Sequence, residues 1–353
     1  MAGLFRSFFL KFLFVSFWIG AFFLFLFSSQ LFETFRAKKS LTIFTFPLLL
    51  DAQELSVFER ETGIKIYIHY YENNDELVAK MLSTDVSGYD VIIPSDYAVK
   101  TLLQEKGVLQ KIDTTRLNFT NKLHTALLGH YFDPNNEYSI PYQWEIYGIG
   151  YSKEAFEYKK PPATWDLIFD ETFGLRNFGM IDNAREVAAL ASFYLFGSVK
   201  MLSQEKMEKV KQLLLSQKDR VEVYSDDRAS YLITSKTCPA VVCTAGDIWR
   251  VNEFEFDFLL PKEGSFVVID SICIPRGGNT DLVYQLINFL YQDDVMKSNA
   301  HEYSFWPATK TVSVKEGKNL MEDALNNFSK FMFYKRVATE EQLDDLWVAL
   351  KAN

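Results

Sequence analysis

Asp270 stands inside the apolar run 267–274 (Val-Val-Ile-Asp-Ser-Ile-Cys-Ile), where a lone carboxylate loses hydration and needs a partner. The constellations that usually carry catalysis are absent around it. The chain has no G-x-S-x-G, no H-E-x-x-H and no Walker A loop. Gly148-Ile-Gly150 lacks the third glycine of a dinucleotide fingerprint and the helix that should follow. Ser203 and Lys206 have S-x-x-K spacing, but they open a polar helix and read as a cap and a solvated lysine. The histidines (His69, His124, His130, His301) are scattered and read as surface or core residues. The spacing of Cys238, Cys243 and Cys273 is not a zinc pattern. Cys238 and Cys243 could bridge if the chain turns between them; alternatively 240–243 is a strand whose Cys packs as a small hydrophobe. The expectation is a protein that is not an enzyme and holds no cofactor or metal.

The elements that must position Asp270 alternate in type. A strand at 41–46 is followed by a helix from 52 to about 61, opened by Asp51-Ala-Gln-Glu54 in capping-box form and stopped by Gly63. Strands at 64–69 and 89–93 enclose a helix at 75–82, and a helix at 97–106 stops at Gly107. A strand at 146–151 opens a second region. It contains strands at 178–181, 221–224, 239–244 and 256–260 and helices at 184–196 and 204–215. The strand at 267–274 and helices at 281–291 and 340–351 complete the chain, the last capped by Thr339-Glu-Glu-Gln342. Such alternation predicts an α/β protein with mostly parallel sheets and helices on both faces. With no flexible linker between the regions, two lobes joined by short crossings are expected.

The chain has 353 residues, enough for two cores, and a net charge of −9, which argues against nucleic acid as a partner. Its first 40 residues differ from the rest: 12 of the 32 Phe lie in the first 35 positions. Arg6 and Lys11 flank the start of an apolar run, 12–27, that is broken only by Ser16, Gly20 and Ala21. Extended to 10–31, the run is long enough to span a bilayer, which takes roughly 20 residues. Residues 1–40 therefore read as a secretory signal or an uncleaved membrane anchor, with the remainder exported. Five of the 37 basic residues and one of the 46 acidic residues lie in that segment, so the exported body carries 32 and 45, a charge of −13.

Several separated stretches carry a resemblance. They are Tyr89-Asp-Val-Ile-Ile-Pro-Ser-Asp-Tyr97 running on to Glu105-Lys-Gly-Val-Leu-Gln-Lys-Ile-Asp113, and Phe132-Asp-Pro-Asn-Asn-Glu-Tyr-Ser-Ile-Pro-Tyr-Gln-Trp144. Asp182-Asn-Ala-Arg-Glu-Val187, the stretch from Pro261 to Pro275 and Leu286-Ile-Asn-Phe-Leu290 follow. In order and spacing, over about 41–310, the chain resembles the periplasmic spermidine/putrescine-binding proteins of bacterial ABC importers. The resemblance implies a two-lobed type II periplasmic binding-protein fold with the ligand cleft between lobes. The lobes are expected at 41–144 with 269–353, and at 145–268, crossing near 144–150 and 265–269. It also implies a monomer, a polyamine-like ligand, and an ABC permease with its ATPase as partners in the periplasm. If residues 10–31 stay uncleaved, the protein is tethered to the inner membrane.

A polyamine is a methylene chain with several ammonium groups, so its site needs carboxylates at amine spacing and aromatic faces. The resemblance places Ser95, Tyr97, Glu186 and Asp270 on such a site. Phe46 stands where the family has Trp, and Leu48 and Leu49 where it has Glu and Tyr. Asn183 replaces a carboxylate, Thr244 and Val268 fall at expected Trp positions, and Phe305 replaces a Tyr. Trp144 is also expected on the ligand, and Glu145 and Tyr147 beside it are new polar candidates at the first crossing. The thinner cage leaves room for the same fold with another small solute, a membrane-anchored sensor, or an enzyme on this scaffold. N-terminal sequencing of the exported protein should find either a cut after the apolar run or an intact anchor. Protection of the body from protease in spheroplasts would exclude export.

Overall fold

Leu41, Ile43 and Phe44 of strand β1 (Ser40–Thr45) are buried, and this strand is the centre of the first lobe. The computed structural model describes residues 14, 16–18, 22, 39–83, 88–105, 107–225, 228–252, 254–315 and 317–352. β1 pairs in parallel with β2 (Lys65–Tyr70) and β3 (Val91–Ile93). The intervening helix Ala52–Thr62 begins where Asp51 accepts a hydrogen bond from the Gln53 amide at 2.8 Å. It ends at Gly63, whose φ of 70° is a left-handed conformation that suits glycine.

Two long strands connect the halves. β4 (Ser139–Ser152) and β9 (Ser265–Cys273) pair antiparallel from Ser139↔Cys273 to Ile146↔Val267. β3 joins β9 at Ile92↔Cys273. Beyond Ile146, β4 enters the second lobe and pairs with β7 (Ala240–Thr244) and β8 (Phe256–Leu259). There β5 (Phe178–Met180) lies parallel to β7 and β6 (Val221–Tyr224). The order is β2-β1-β3-β9-β4-β7-β5-β6, with β10 (Trp306–Pro307) on β4 and β11 (Phe331–Met332) on β9. The sheet is more mixed than the alternation predicts. Every antiparallel pairing among the described strands involves β4 or β9, the two crossing strands.

The crossing strand was expected only over 146–151, and it begins seven residues earlier, at Ser139. Pro141 cannot donate to a ladder, and the register shifts between Pro141 and Gln143, a bulge that accommodates it. Helices Asp293–Tyr303 and Lys318–Asn326 were also not foreseen. Buried side chains form two clusters. Those from Tyr334 to Leu350, including the helix Glu340–Lys351, belong with the second one, around Ala184–Phe196 and Gln204–Gln217. We propose the lobe division expected from the sequence with one amendment, that residues 334–350 belong with the second lobe; most buried side chains between Ala229 and Phe258 pack with the first cluster although their strands β7 and β8 pair on the second-lobe part of β4. Cys238, Cys243 and Cys273 are buried free thiols. No helix among the described residues is long and apolar enough to cross a membrane, and most of the candidate anchor 10–31 lies outside them.

Gly148 and Gly150 serve packing rather than a nucleotide. A Cβ on Gly148 would collide with the Leu259 carbonyl and the Phe258 ring, and one on Gly150 with Ile248. The backbone carbonyl cannot give way as a flexible side chain could. Gly148→Ala should therefore cost about 1–3 kcal/mol, the usual range for overpacking. A thermal melt followed by circular dichroism should show the midpoint lowered by several degrees; an unchanged midpoint would mean β8 can move off β4.

Candidate ligand cleft

Side chains of a strand alternate between faces, and this separates two environments on the crossing strands. Trp144, Ile146, Val267 and Ile269 are fully buried, whereas Glu145, Tyr147, Val268 and Asp270 are partly exposed on the opposite face. Asp270 sits opposite Gln143, which donates through Nε2 to Asp270 Oδ2 at 2.5 Å. A backbone bridge links Asp270 to Ser95, the residue before the helix Asp96–Gln104. The strand-end turn of β3 thus meets the crossing strand, the location where α/β sheets place ligands.

Asp96 completes this end. It is 3% exposed and accepts from the Tyr131 hydroxyl at 2.9 Å and the Ile269 amide at 3.2 Å. Further along the face, Thr244 donates to Glu145 Oε1 at 3.1 Å. Thr244 also caps the short helix Ala245–Trp249 in a capping box with Asp247. Asp247 pairs with Arg250, whose other nitrogen donates to the Tyr303 carbonyl at 3.0 Å. Gly246 permits this closeness, since a Cβ there would meet both Glu145 and the Ser304 carbonyl.

The opposite wall is the helix Ala184–Phe196. Asn183 caps it by accepting from the Arg185 and Glu186 amides at 3.0 and 3.2 Å, so the residue at an expected carboxylate position organises the helix start. Arg185 places its guanidinium 3.3 Å over the Tyr97 ring, 3.2 Å from Asp75 and 3.7 Å from Glu186.

The expected site residues divide accordingly. Ser95, Tyr97, Glu145, Glu186, Thr244 and Asp270 come together on the cleft, with Tyr97 and Glu186 both against Arg185. Trp144 does not join them: it is 0% exposed, with its ring 4.6 Å from Trp306 on the core face of β4. Phe305 is buried beside Tyr142, also in the first core. Both were expected on the ligand, and both are removed from it by the strand period or by burial. Phe46 is half-buried 5.9 Å from Tyr71, and Leu48 after it is exposed with a φ of 60°. Asp96, Gln143, Arg185 and Asp247 were missed. Each adjoins a flagged residue or sits at a helix start, where a polar side chain has an ordinary explanation.

The chain matches the model of the bacterial extracellular solute-binding protein family over residues 55–325. It belongs to that family. This solute-binding protein is 32% identical to the spermidine/putrescine-binding periplasmic protein of Escherichia coli K12 over 260 residues, covering 71% of this chain and 72% of the relative. It is 29% identical to a putrescine-binding periplasmic protein of Pseudomonas aeruginosa, covering 73% and 75%. Its fold is that of the substrate-binding protein of a spermidine/putrescine ABC transporter from Streptococcus pneumoniae, with a TM-score of 0.74, 23% identity and coverage of 89% and 98%. A lipoprotein of Treponema pallidum gives a TM-score of 0.73 at 20% identity, covering 89% and 100%. These neighbours establish the two-lobed type II periplasmic binding-protein architecture.

Electrostatics in the cleft of this solute-binding protein follow from burial. Loss of water pushes the Asp96 carboxyl up to about 7, against the pull of the Ile269 and Tyr131 hydrogen bonds, with Asp270 raising it further. Burial likewise takes Asp270 up to about 6, opposed by Gln143. Glu145 rises to about 8 through burial first and Asp247 next. A carboxyl whose folded pKa lies above its unfolded value keeps protons that the unfolded chain has lost. Stability is therefore full below the unfolded carboxyl range and is lost as pH rises toward the folded values, by about 1.4 kcal/mol per pH unit for each proton so retained. Ligand-free protein should melt at lower temperature at pH 8 than at pH 5, and Asp96→Asn should flatten that slope. Calorimetry across this range checks it; a wild-type midpoint that rises toward pH 8, or an unaltered slope in the variant, would contradict it.

Proposed function

We propose that this solute-binding protein is the exported component of an ABC importer that captures a small polyamine-class cation between its lobes and delivers it to a permease and its ATPase. The observation that carries the reading is the set of carboxyls on one face of the cleft. Asp96, Asp270 and Glu145 have no cation within ion-pair distance of 4.0 Å among the described residues. Three desolvated acids this close repel one another when ionised, and an ammonium group relieves both the repulsion and the lost hydration. The names of the relatives support the ligand class, and the acidic exported body supports attraction of cations. No chemistry on the ligand is invoked: the protein binds and releases. We further propose that it acts as a monomer in the periplasm.

The lobes close by bending the paired crossings β4 and β9 and the third crossing that follows β11, a hinge motion driven by contacts that only the closed state makes. The site is short of the aromatic faces that the resemblance implies, because Trp144 and Phe305 are buried in the core and Leu48 and Leu49 follow Phe46. Binding should rest on charge more than on stacking. Titration calorimetry with putrescine, spermidine, amino acids and a neutral sugar should detect the amines and no sugar. A charge-assisted hydrogen bond contributes about 1.5–3 kcal/mol, so Asp270→Asn should weaken amine binding about tenfold or more. Absence of any amine binding below millimolar concentration, or full retention in Asp270→Asn, would remove the cationic-ligand reading and leave only the scaffold.

A further inference from the structure

Arg185 is a buried cation of the cleft that the ligand reading does not use. It rises from the second-lobe helix Ala184–Phe196 and is 5% exposed. Among the described residues its guanidinium meets Glu186 of its own helix and, across the cleft, two first-lobe residues, Tyr97 and Asp75. Tyr97 lies on the helix Asp96–Gln104 and Asp75 on the helix Asn74–Ser83. The guanidinium carbon lies 3.3 Å from the Tyr97 ring centroid, which is van der Waals contact, so no methylene or ammonium of a ligand can share that face. Its Nε is buried without a hydrogen-bond partner among the described residues. A long cation is thus held across the cleft by stacking and two carboxylates, in an environment where its hydration is gone.

We propose that Arg185 is a built-in cation that latches the two lobes and takes one end of the polyamine site for itself. This rests on the functional reading above and narrows it. The Tyr97 face, Asp75 and Glu186 are committed to the guanidinium. An incoming ligand then finds carboxyls only at the other end, at Asp270, Asp96 and Glu145. Two ammonium groups are accommodated among these three carboxyls, and a longer chain with a third gains no further carboxylate toward Arg185. The site is therefore selective for a short diamine over spermidine. The latch also holds part of the population closed without ligand, so binding loses less affinity to an unpopulated closed state.

The sidedness of these contacts separates a latch from a simple core residue. Asp75 is 55% exposed at its side chain, and Asp75 and Tyr97 sit on elements that share no backbone pairing with the Arg185 helix. Opening the lobes breaks the ring contact and the Asp75 pair together. A lysine keeps the charge and the reach but lacks the planar face that stacks on tyrosine.

The test uses the full exported chain with Arg185→Ala and Arg185→Lys, each first shown to be folded by a cooperative thermal melt. Calorimetry gives the ratio of putrescine to spermidine affinity, and small-angle scattering gives the ligand-free radius of gyration. In Arg185→Ala the ratio should move toward spermidine by about tenfold, as one carboxylate is released to an ammonium. The ligand-free radius should increase, and Arg185→Lys should fall between the two. A folded Arg185→Ala with an unchanged ratio and an unchanged radius overturns the latch. If the wild-type chain binds no amine, the functional reading fails by itself; the latch is then decided by scattering, and an unchanged radius overturns it.

Discussion

The antiparallel pairing of β4 with β9 is the constraint on which the rest depends. It is the backbone ladder that both lobes share, running from Ser139↔Cys273 to Ile146↔Val267. A β-ladder resists shear but tolerates twist and bending, so it joins two bodies while allowing their angle to change. Its alternation also sorts chemistry. One face carries Glu145, Val268 and Asp270 toward the cleft, and the other buries Trp144, Ile146 and Ile269 under the first lobe. A one-residue slip would exchange the acids with the tryptophan, so the bulge between Pro141 and Gln143 sets the site twice over: it fixes the register, and its Gln143 donates to Asp270.

Electrostatic poise follows from that geometry. The cleft gathers acids from both lobes: Asp75, Asp96 and Asp270 from one, Glu145, Glu186 and Asp247 from the other. Arg185 and Arg250 answer only the outer ones, through Asp75, Glu186 and Asp247. The acids between them are stabilised by neutral donors, Gln143, Tyr131, Thr244 and the Ile269 amide. Neutral donors satisfy these carboxyls without a partner charge, and burial favours their protonated form, so the acids can remain in the folded protein without a cation beside them.

Legibility of the chain from sequence varied with the strength of local signals. The helix Ala184–Phe196 was readable to the residue because Asn183 caps it and Gly197 ends it in a left-handed conformation. The helix Glu340–Lys351 was readable because Thr339 and Gln342 form a reciprocal capping box. β4 was half hidden, since a proline at its start suppresses the strand reading that the bulge then restores. At the site, Asp270 was visible because a charge in an apolar strand has no ordinary reason. Asp96 was invisible because an acid in the first turn of a helix does have one. Trp144 was misjudged by a single position: its neighbours Gln143 and Glu145 face the cleft, and a period of two turns it away. The allocation of 334–350 was unreadable locally, because nothing in an amphipathic helix states which of two cores it will cover.

The aromatic contacts at the crossing have an optical consequence. Trp249, which ends the helix after β7, lies 5.3 Å from Trp306, and Trp306 lies 4.6 Å from Trp144. Three indoles in sequence, one carried by the helix after β7 and two by the first-lobe core, exchange excitation over these distances. Their emission and near-ultraviolet dichroism depend on the Trp249–Trp306 separation. The chain thus contains an optical reporter of how the helix after β7 packs on the first core, beside the cleft and readable without any attached dye.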